Sequence, residues 1–523
     1  MGQFLFYYQR PEPATWVFMS SFLIVAIFFM FHRLWSIRNL DIFLILLLTP
    51  GLMMVYEGRK SRSQESIQSN SAGAIKAANG VQAPTENSES VSLRPPDKLA
   101  DSKIDPTKLQ FWGFAWLLTI CGLWLTRLLL DTTMVRRPLL EPNLSSGGIM
   151  FIGVSLFLFL MANVVNSPPV LESRSGGKPG PGYELLKLLP DIQTAPDPEA
   201  IAKRSMLIGM VGPNDKSQAP ADEVHTDAEI AAISKSASKD IVVQSAATSI
   251  TIPSPKRVRL SRIFLIMANL VLVLAIVAVG YWHFDNFKTG VGVATLFLLL
   301  PYTAQMTGRV DHLIPGALIA VAIALYRQPI ASGIMLGLAS GLVFYPFFLF
   351  PLWISFYWQR GAYRFTSGFL GSIIALVIAL GLVTTSASTA TGFADRLGQM
   401  FGTIPFALKD LDGIWGLGWH PYFRIPVMVA FVLISFSFIM WPAQKSLATL
   451  LSCTAALMTA SQFCYAYGGG LYMAWFIPCA LLTLYRPNLD DCIALEVVRG
   501  FGRNRSKPRS QTDEEPKNYA AAS

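Results

Sequence analysis

Long apolar blocks separated by shorter polar stretches make up most of the chain. Many of these blocks approach the roughly 20 residues that a helix needs to cross a bilayer. They lie at about 15–31, 39–56, 110–130, 147–166, 263–283, 290–307, 312–326, 331–357, 365–385, 425–441, 446–463 and 470–485. The pattern predicts an all-α polytopic membrane protein with about 11–13 transmembrane helices.

One block, 331–357, is interrupted at Tyr345-Pro346. Proline removes a backbone donor and disfavours helix at the residue before it. Each half would be about 20 Å long at 1.5 Å per residue, too short to cross alone. We therefore expect a pair of short helices that enters the membrane and returns; a single kinked helix is the alternative.

The polar stretches divide the chain into six segments. Stretch 57–108 is rich in Ser, Asn, Ala, Gln and Lys, so disorder is expected there. Stretch 167–262 is expected to be mostly disordered, with one or two short helices. The segments are N-terminal transmembrane helices (1–56), a polar loop (57–108), a transmembrane hairpin (109–166), a long polar loop (167–262), a transmembrane core (263–486) and a basic tail (487–523).

Composition agrees with a membrane protein. Hydrophobic residues make up 52% of the chain and charged residues 14%, against about 25% charged in soluble proteins. The net charge of +9 lies largely beside apolar blocks, where it indicates topology determinants and contacts with lipid headgroups. No basic run is interleaved with aromatic residues in the way that nucleic-acid binding requires.

The short loops sort by charge when 331–357 is a hairpin. The cations on one side are Arg33, Arg38, Arg136, Arg137, Lys288, Arg327, Arg360, Arg364, Lys445 and the tail. The positive-inside rule makes that side cytoplasmic, so the N-terminus and both long loops face outward from an inner membrane. The basic run 256–262 argues the other way locally, although loops longer than about 60 residues translocate largely regardless of charge.

The densest group of reactive side chains lies in segment 301–315, a tight turn between two apolar helices. It carries Tyr302, Arg309, Asp311 and His312. Ionisable groups at a membrane boundary are costly and therefore point to function. The alternative is that Arg309 and Asp311 form a pair that ends two helices in the headgroup layer.

The run GRVDHLIPGALIAVAIALYRQPIASGIMLGLASGLVFYPFFLFPLW, within 288–365, resembles the central region of the family 87 glycosyltransferases. The shared features are the polar turn, an apolar helix, an arginine-containing loop, the small-residue helix ASGIMLGLA and an aromatic-proline break. The family carries a lysine before that break, where this chain has Val343-Phe344-Tyr345-Pro346. The resemblance implies a GT-C bundle that transfers mannose or a related sugar from a polyprenyl-phosphate donor to an outward-facing glycan, lipid or protein acceptor.

The resemblance also implies roles for particular residues. GT-C enzymes use an Asp or Glu of the first outward loop as general base, and Glu57 would have that position if the second span corresponds to the family's first helix. Asp311 is the other candidate base, with Arg309 and His312 as phosphate or acceptor contacts and Tyr302 and Tyr345 as substrate-binding residues. No soluble cofactor is implied, and a divalent metal is compatible with the pattern but not demanded by it.

An aromatic-rich outward loop, 386–424, adds Trp419 and His420 as candidate sugar-stacking residues. An interfacial aromatic belt explains the same residues without substrate binding. Two other functions remain open at this stage: a secondary transporter or lipid flippase, which the broken block favours, and an inactive membrane scaffold, which the missing lysine favours.

Overall fold

The computed structural model describes residues 12–79, 105–131, 142–170, 189–194, 254–385, 411–489 and 491–498. The regular elements within these ranges are all helical. Seven helices in them are long and apolar enough to cross a membrane, and five further apolar helices are shorter. The chain is an all-α polytopic membrane protein, as the sequence predicts.

We number the α-helices in chain order. They are α1 (Pro13–Phe28), α2 (Ile37–Leu46), α3 (Leu48–Asn79), α4 (Pro106–Asp131), α5 (Ser146–Asn166), α6 (Pro255–Trp282), α7 (Phe287–Leu299), α8 (Pro301–Met306), α9 (Val310–Ala324), α10 (Pro329–Leu342), α11 (Phe350–Phe356), α12 (Ala362–Thr385), α13 (Arg424–Met440), α14 (Leu447–Cys464), α15 (Ile477–Tyr485) and α16 (Ala494–Val497).

Helix α14 lies at the centre of the bundle. Every one of its residues except Phe463 is buried, and it packs against α4, α13 and α15. The long outer helices instead expose apolar side chains, as expected of surfaces that face lipid. Helix α9 packs between α6 and α10, which places its first turn, with Asp311, inside the bundle.

The hairpin prediction for 331–357 is confirmed. Helix α10 ends at Leu342, a 3-10 turn follows at Tyr345–Leu349, and α11 returns. The Tyr357 hydroxyl donates to the Tyr326 carbonyl at 2.5 Å, and a Cβ at Gly361 would lie 2.8 Å from Pro329. The hairpin therefore begins and ends at the same end of the bundle, so Arg327 and Arg360 share a side.

Three sequence predictions need correction. Helix α3 continues to Asn79, so the first part of the predicted disordered loop is helical, because its Ala, Gln and Glu residues extend an already nucleated helix. Predicted span 290–307 is two helices, because Leu300 before Pro301 is extended. Predicted span 470–485 is helical only from Ile477 onward, beyond a 3-10 turn.

Four charged residues, of which Asp41, Asp131 and Arg486 are buried and Arg127 is largely so, join α2, α4 and the end of α15 at the end of the bundle far from Asp311. Arg127 donates to both Asp41 oxygens at 2.8 and 3.0 Å and to Asp131 at 3.1 Å. Arg486 donates to the other Asp131 oxygen at 3.0 Å. Among the described residues, two acids and two cations balance each other in this cluster, which we call the buried charge network.

Close packing of α10 on α12 leads to a first prediction. A Cβ at Gly333 would overlap the backbone carbonyl of Phe365, so alanine there must push the two helices apart. We expect Gly333→Ala to lower the free energy of unfolding by about 1–3 kcal/mol, measured by unfolding of the purified protein in detergent. The matched control is Gly371→Ala on α12, where a Cβ meets no atom within 4 Å. It is expected to be neutral or stabilising, and an equal loss in both variants would contradict the packing argument.

Candidate functional site

The site is built on the turn that links α8 to α9. Helix α8 ends at Met306, and α9 begins at Val310, so Asp311 lies in the first turn of α9. The amide groups at a helix start favour a carboxylate there. Arg309, at the position before α9, donates through Nε and Nη2 to the two Asp311 oxygens at 3.2 and 3.1 Å. This forked pair holds the carboxylate in one orientation.

A second carboxylate reaches the same guanidinium from the long polar loop. Asp191 Oδ2 lies 3.6 Å from Arg309 Nε, and Asp191 Oδ1 accepts from the Val310 N–H at 3.1 Å. The adjacent Ile192 N–H donates to the Gly308 carbonyl at 2.9 Å. Segment 189–194 is thus fixed against the turn, and two acids share one arginine.

Burial explains the acid–base behaviour of Asp191, which is only 2% exposed. Burial raises the pKa of its carboxyl to about 6, Arg309 opposes that rise, and the nearby Asp311 charge adds to it. Asp191 therefore keeps its proton to a higher pH than a carboxyl group in water does.

His312 is held between two tyrosines. Its Nδ1 lies 2.9 Å from the Tyr302 hydroxyl, and its ring stacks on Tyr472 with centroids 4.0 Å apart. The Tyr302 oxygen also accepts from the Ala474 N–H at 3.1 Å, which leaves the Tyr302 proton available for His312. The Tyr472 hydroxyl points at Asp311 Oδ2, 3.4 Å away.

The irregular segment between α14 and α15 wraps around this turn. Trp475 Nε1 donates to the Asp311 carbonyl at 3.0 Å. Gln462 Oε1 accepts from the amides of Gly470 and Tyr472, each at 3.2 Å. Gly470 has φ +97°, a conformation that favours glycine. Segment 470–476 does not form an α-helix, and its irregular path brings Tyr472 and Trp475 to the site.

The break in the hairpin lies against the same wall. The Tyr345 ring is 5.4 Å from Tyr465 and 6.1 Å from Trp475 between centroids. Arg424, which is buried, donates to the Cys464 carbonyl at 2.8 Å and lies close enough to Tyr345 to interact with it electrostatically. The rings of Tyr345, Tyr465 and Trp475 therefore form an aromatic wall next to the buried Arg424. This wall adjoins the acidic turn, the turn that carries Arg309 and Asp311.

A partly exposed ion pair lies at the same end. Arg59 of α3 donates to Asp412 at 2.8 Å, with the side chains 27% and 56% exposed. Arg59 also lies over the Phe114 ring at 5.9 Å and is close enough to His312 to interact electrostatically. Its contact with Asp412 connects α3 to the segment after the 386–410 stretch.

The structure brings together five of the eight candidate residues chosen from sequence. Arg309, Asp311, His312 and Tyr302 are in direct contact, and Tyr345 joins them through Trp475.

The other three candidates have different neighbours. Glu57 pairs with Lys60 at 3.9 Å, Trp419 packs on Phe423 at 6.0 Å, and His420 stacks on Tyr422 at 4.9 Å. Most of the aromatic-rich loop predicted at 386–424, namely 386–410, lies outside the described residues.

Sequence reasoning missed five residues of the site: Asp191, Arg59, Arg424, Tyr472 and Trp475. Tyr472 follows the run Gly468-Gly469-Gly470, and Arg424 precedes a predicted span. Asp191 carried no local signal, because it follows Pro190 in a long polar loop. In the part of the chain that the structure describes, no group of three His, Cys, Asp or Glu side chains is arranged to hold a metal.

A small cavity adjoins His312 and Tyr302 on the side facing α6 and α7. Asn269 and Thr307 also line it, and both are almost fully buried. Asn269 Oδ1 and Thr307 Oγ1 have no hydrogen-bond partner among the residues that the structure describes. A space of this kind, with polar atoms on its wall, is suited to an internal water molecule.

The Asp191 pKa leads to a second prediction, on pH and stability. Between pH 4 and 6 the folded protein binds more protons at Asp191 than the unfolded chain does, so the free energy of unfolding falls as pH rises. A rise in pKa to about 6 makes this decline roughly 3 kcal/mol. We expect Asp191→Asn to remove it, because a carboxamide does not titrate in this range.

Unfolding of the purified protein in detergent at pH 4.5 and pH 7 measures the effect. Asp105→Asn, at an exposed position, is the control and should keep the wild-type pH dependence. A decline in Asp191→Asn as steep as in wild type would show that Asp191 is not the titrating group.

We compared the chain with known protein families, curated proteins and solved structures. No family model, curated protein or solved structure matches the chain.

Proposed function

We propose that the chain is a GT-C-type membrane glycosyltransferase. It transfers a mannose-like sugar from a polyprenyl-phosphate donor to a glycan, lipid or protein acceptor outside the cytoplasm. The protein lies in the inner membrane with the Asp311 turn outward and the basic tail cytoplasmic. The observation that carries the proposal is the buried acid–arginine–histidine cluster at the end of short helices, next to an aromatic wall.

The arrangement suits the chemistry of a lipid-linked sugar. In the transfer, the acceptor hydroxyl oxygen bonds to the sugar anomeric carbon, and the bond from that carbon to the phosphate oxygen breaks. The hydroxyl proton passes to a carboxylate, for which we choose Asp311. The leaving polyprenyl phosphate is anionic, so nearby cations stabilise it; Arg59, Arg309 and Arg424 are the candidates.

The aromatic wall suits the sugar itself. Tyr345, Tyr465, Tyr472 and Trp475 have ring centroids within 4.5–6.1 Å of their neighbours. Such rings present an apolar face with a polar edge, which matches a hexose ring and its hydroxyl groups.

The hairpin supports a second candidate function, secondary transport or lipid flipping. Discontinuous helices that meet within the membrane are typical of transporter substrate sites, and the break after Leu342 adjoins the site. Buried charged pairs also occur in proton-coupled transporters. We rank this function second, because the charges lie at the end of the bundle and not at its middle.

A transfer assay separates the two functions. Membranes containing the full chain are given radiolabelled polyprenyl-phosphate sugars, one sugar at a time, and the label is followed into lipid, glycan and protein fractions. We expect label in one acceptor fraction with a mannose-like donor. Absence of transfer from every donor, together with uptake of a solute or movement of a labelled lipid in proteoliposomes, would replace the enzyme by the transporter.

A further inference from the structure

Helix α6 carries an exposed basic surface at its start, made of Lys256, Arg257 and Arg259. We call it the α6 basic patch. Helix α6 has 28 residues, about 42 Å at 1.5 Å per residue, against a hydrocarbon core of about 30 Å. Its apolar part from Ile263 onward is enough to cross the core, which leaves 255–262 in the headgroup layer.

The patch lies on the lipid-facing side of α6. Exposed apolar residues follow one another along this side at helical spacing: Leu260, Ile263, Met267, Val271 and Leu274. Lys256 and Arg257 precede Leu260 by four and three positions, and Arg259 precedes Ile263 by four. Residues three or four apart share a helix face, so the three cations continue the lipid-facing stripe into the headgroup layer.

The cations need an anionic partner. The amide dipoles at a helix start disfavour positive charge, and three neighbouring cations repel one another. The first turn of α6 contains no acid, and no ion pair joins Lys256, Arg257 or Arg259 to an acid of the described residues. The opposite face of the helix is occupied by segment 189–194, since Ser261 hydrogen-bonds the Pro190 carbonyl.

The geometry points to a binding site for anionic phospholipid headgroups at the α6 basic patch. Phosphates in the headgroup layer lie level with the cations, and the acyl chains of the same lipid lie along Leu260 and Ile263. The site also explains why a basic run lies at the end of the bundle that we assign to the outside, where the positive-inside rule disfavours cations. This inference is independent of the sugar-transfer proposal.

Native mass spectrometry of the full chain in detergent tests the site. Phosphatidylglycerol is titrated in, and phosphatidylcholine with the same acyl chains is the neutral reference. We expect a preference for phosphatidylglycerol that falls about fivefold for each patch cation replaced. The triple variant Lys256→Gln, Arg257→Gln, Arg259→Gln is expected to lose most of the preference, and Arg257→Gln alone to lose part of it.

A control with the same loss of charge is Lys60→Gln, Arg62→Gln, Lys108→Gln, at other exposed positions of the same end. It should keep the preference. Equal binding of the two lipids by wild type would overturn the inference; occupation of the patch by an acidic segment of the chain itself predicts that result. An equal loss in both triple variants would also overturn it, since the effect would then be one of overall charge.

Discussion

Asp311→Asn is expected to reduce sugar transfer by about 100-fold or more, which is the usual contribution of a general base. The substitution is nearly isosteric, and Asp191 still lies 3.6 Å from Arg309 and balances its charge, so the fold should persist. What it removes is the negative charge that Arg309 holds in place through two hydrogen bonds of 3.2 and 3.1 Å. Initial rates with a saturating polyprenyl-phosphate donor measure the effect.

Glu57→Gln is the matched control, because Glu57 is the other acid that the family resemblance implies as base. Its side chain is 45% exposed and pairs with Lys60. We expect Glu57→Gln to retain transfer within about twofold of wild type, as for most changes at exposed positions. A large loss in Glu57→Gln with transfer retained in Asp311→Asn would exchange the two roles.

The hairpin and the acidic turn were predictable because their determinants are local. Pro346 breaks the helix next to itself, and Arg327 and Arg360 flank the same block. Likewise Arg309, Asp311 and His312 are consecutive or nearly so, and the helix start after Gly308 places them together. Interactions between residues close together in the sequence were therefore enough to predict these features.

The remaining site residues depend on contacts between distant parts of the chain. Asp191 and Val310 are 119 positions apart, and Arg59 and Asp412 are 353 apart. The residues next to Asp191 in the sequence give no indication that it pairs with Arg309 and Val310. Glu57, the acid chosen from the sequence, lies only two positions before Arg59 on the same helix. Side chains two apart on a helix point about 200° apart, and of these two residues Arg59 is the one that interacts electrostatically with His312.

The buried charge network leads to the largest expected effect on stability. Asp131 is fully buried and accepts from Arg127 at 3.1 Å and from Arg486 at 3.0 Å. Asp131→Asn would leave Arg486, which is buried, and Arg127, which is 15% exposed, with Asp41 as the remaining carboxylate of the network among the described residues. Removing one partner of a buried ion pair costs about 3–5 kcal/mol, because the other charge stays buried without compensation.

Asp412→Asn is the matched control for that prediction. It breaks an Asp–Arg contact of 2.8 Å, no longer than those of Asp131, but Asp412 is 56% exposed. Water and salt screen such a pair, so its loss is expected to cost less than about 1 kcal/mol. Unfolding of the purified variants in the same detergent compares the two.

The double variant Asp131→Asn, Arg486→Gln restores a neutral network and should recover part of the stability. If Asp131→Asn and Asp412→Asn cost the same, burial would not be what makes the network strong.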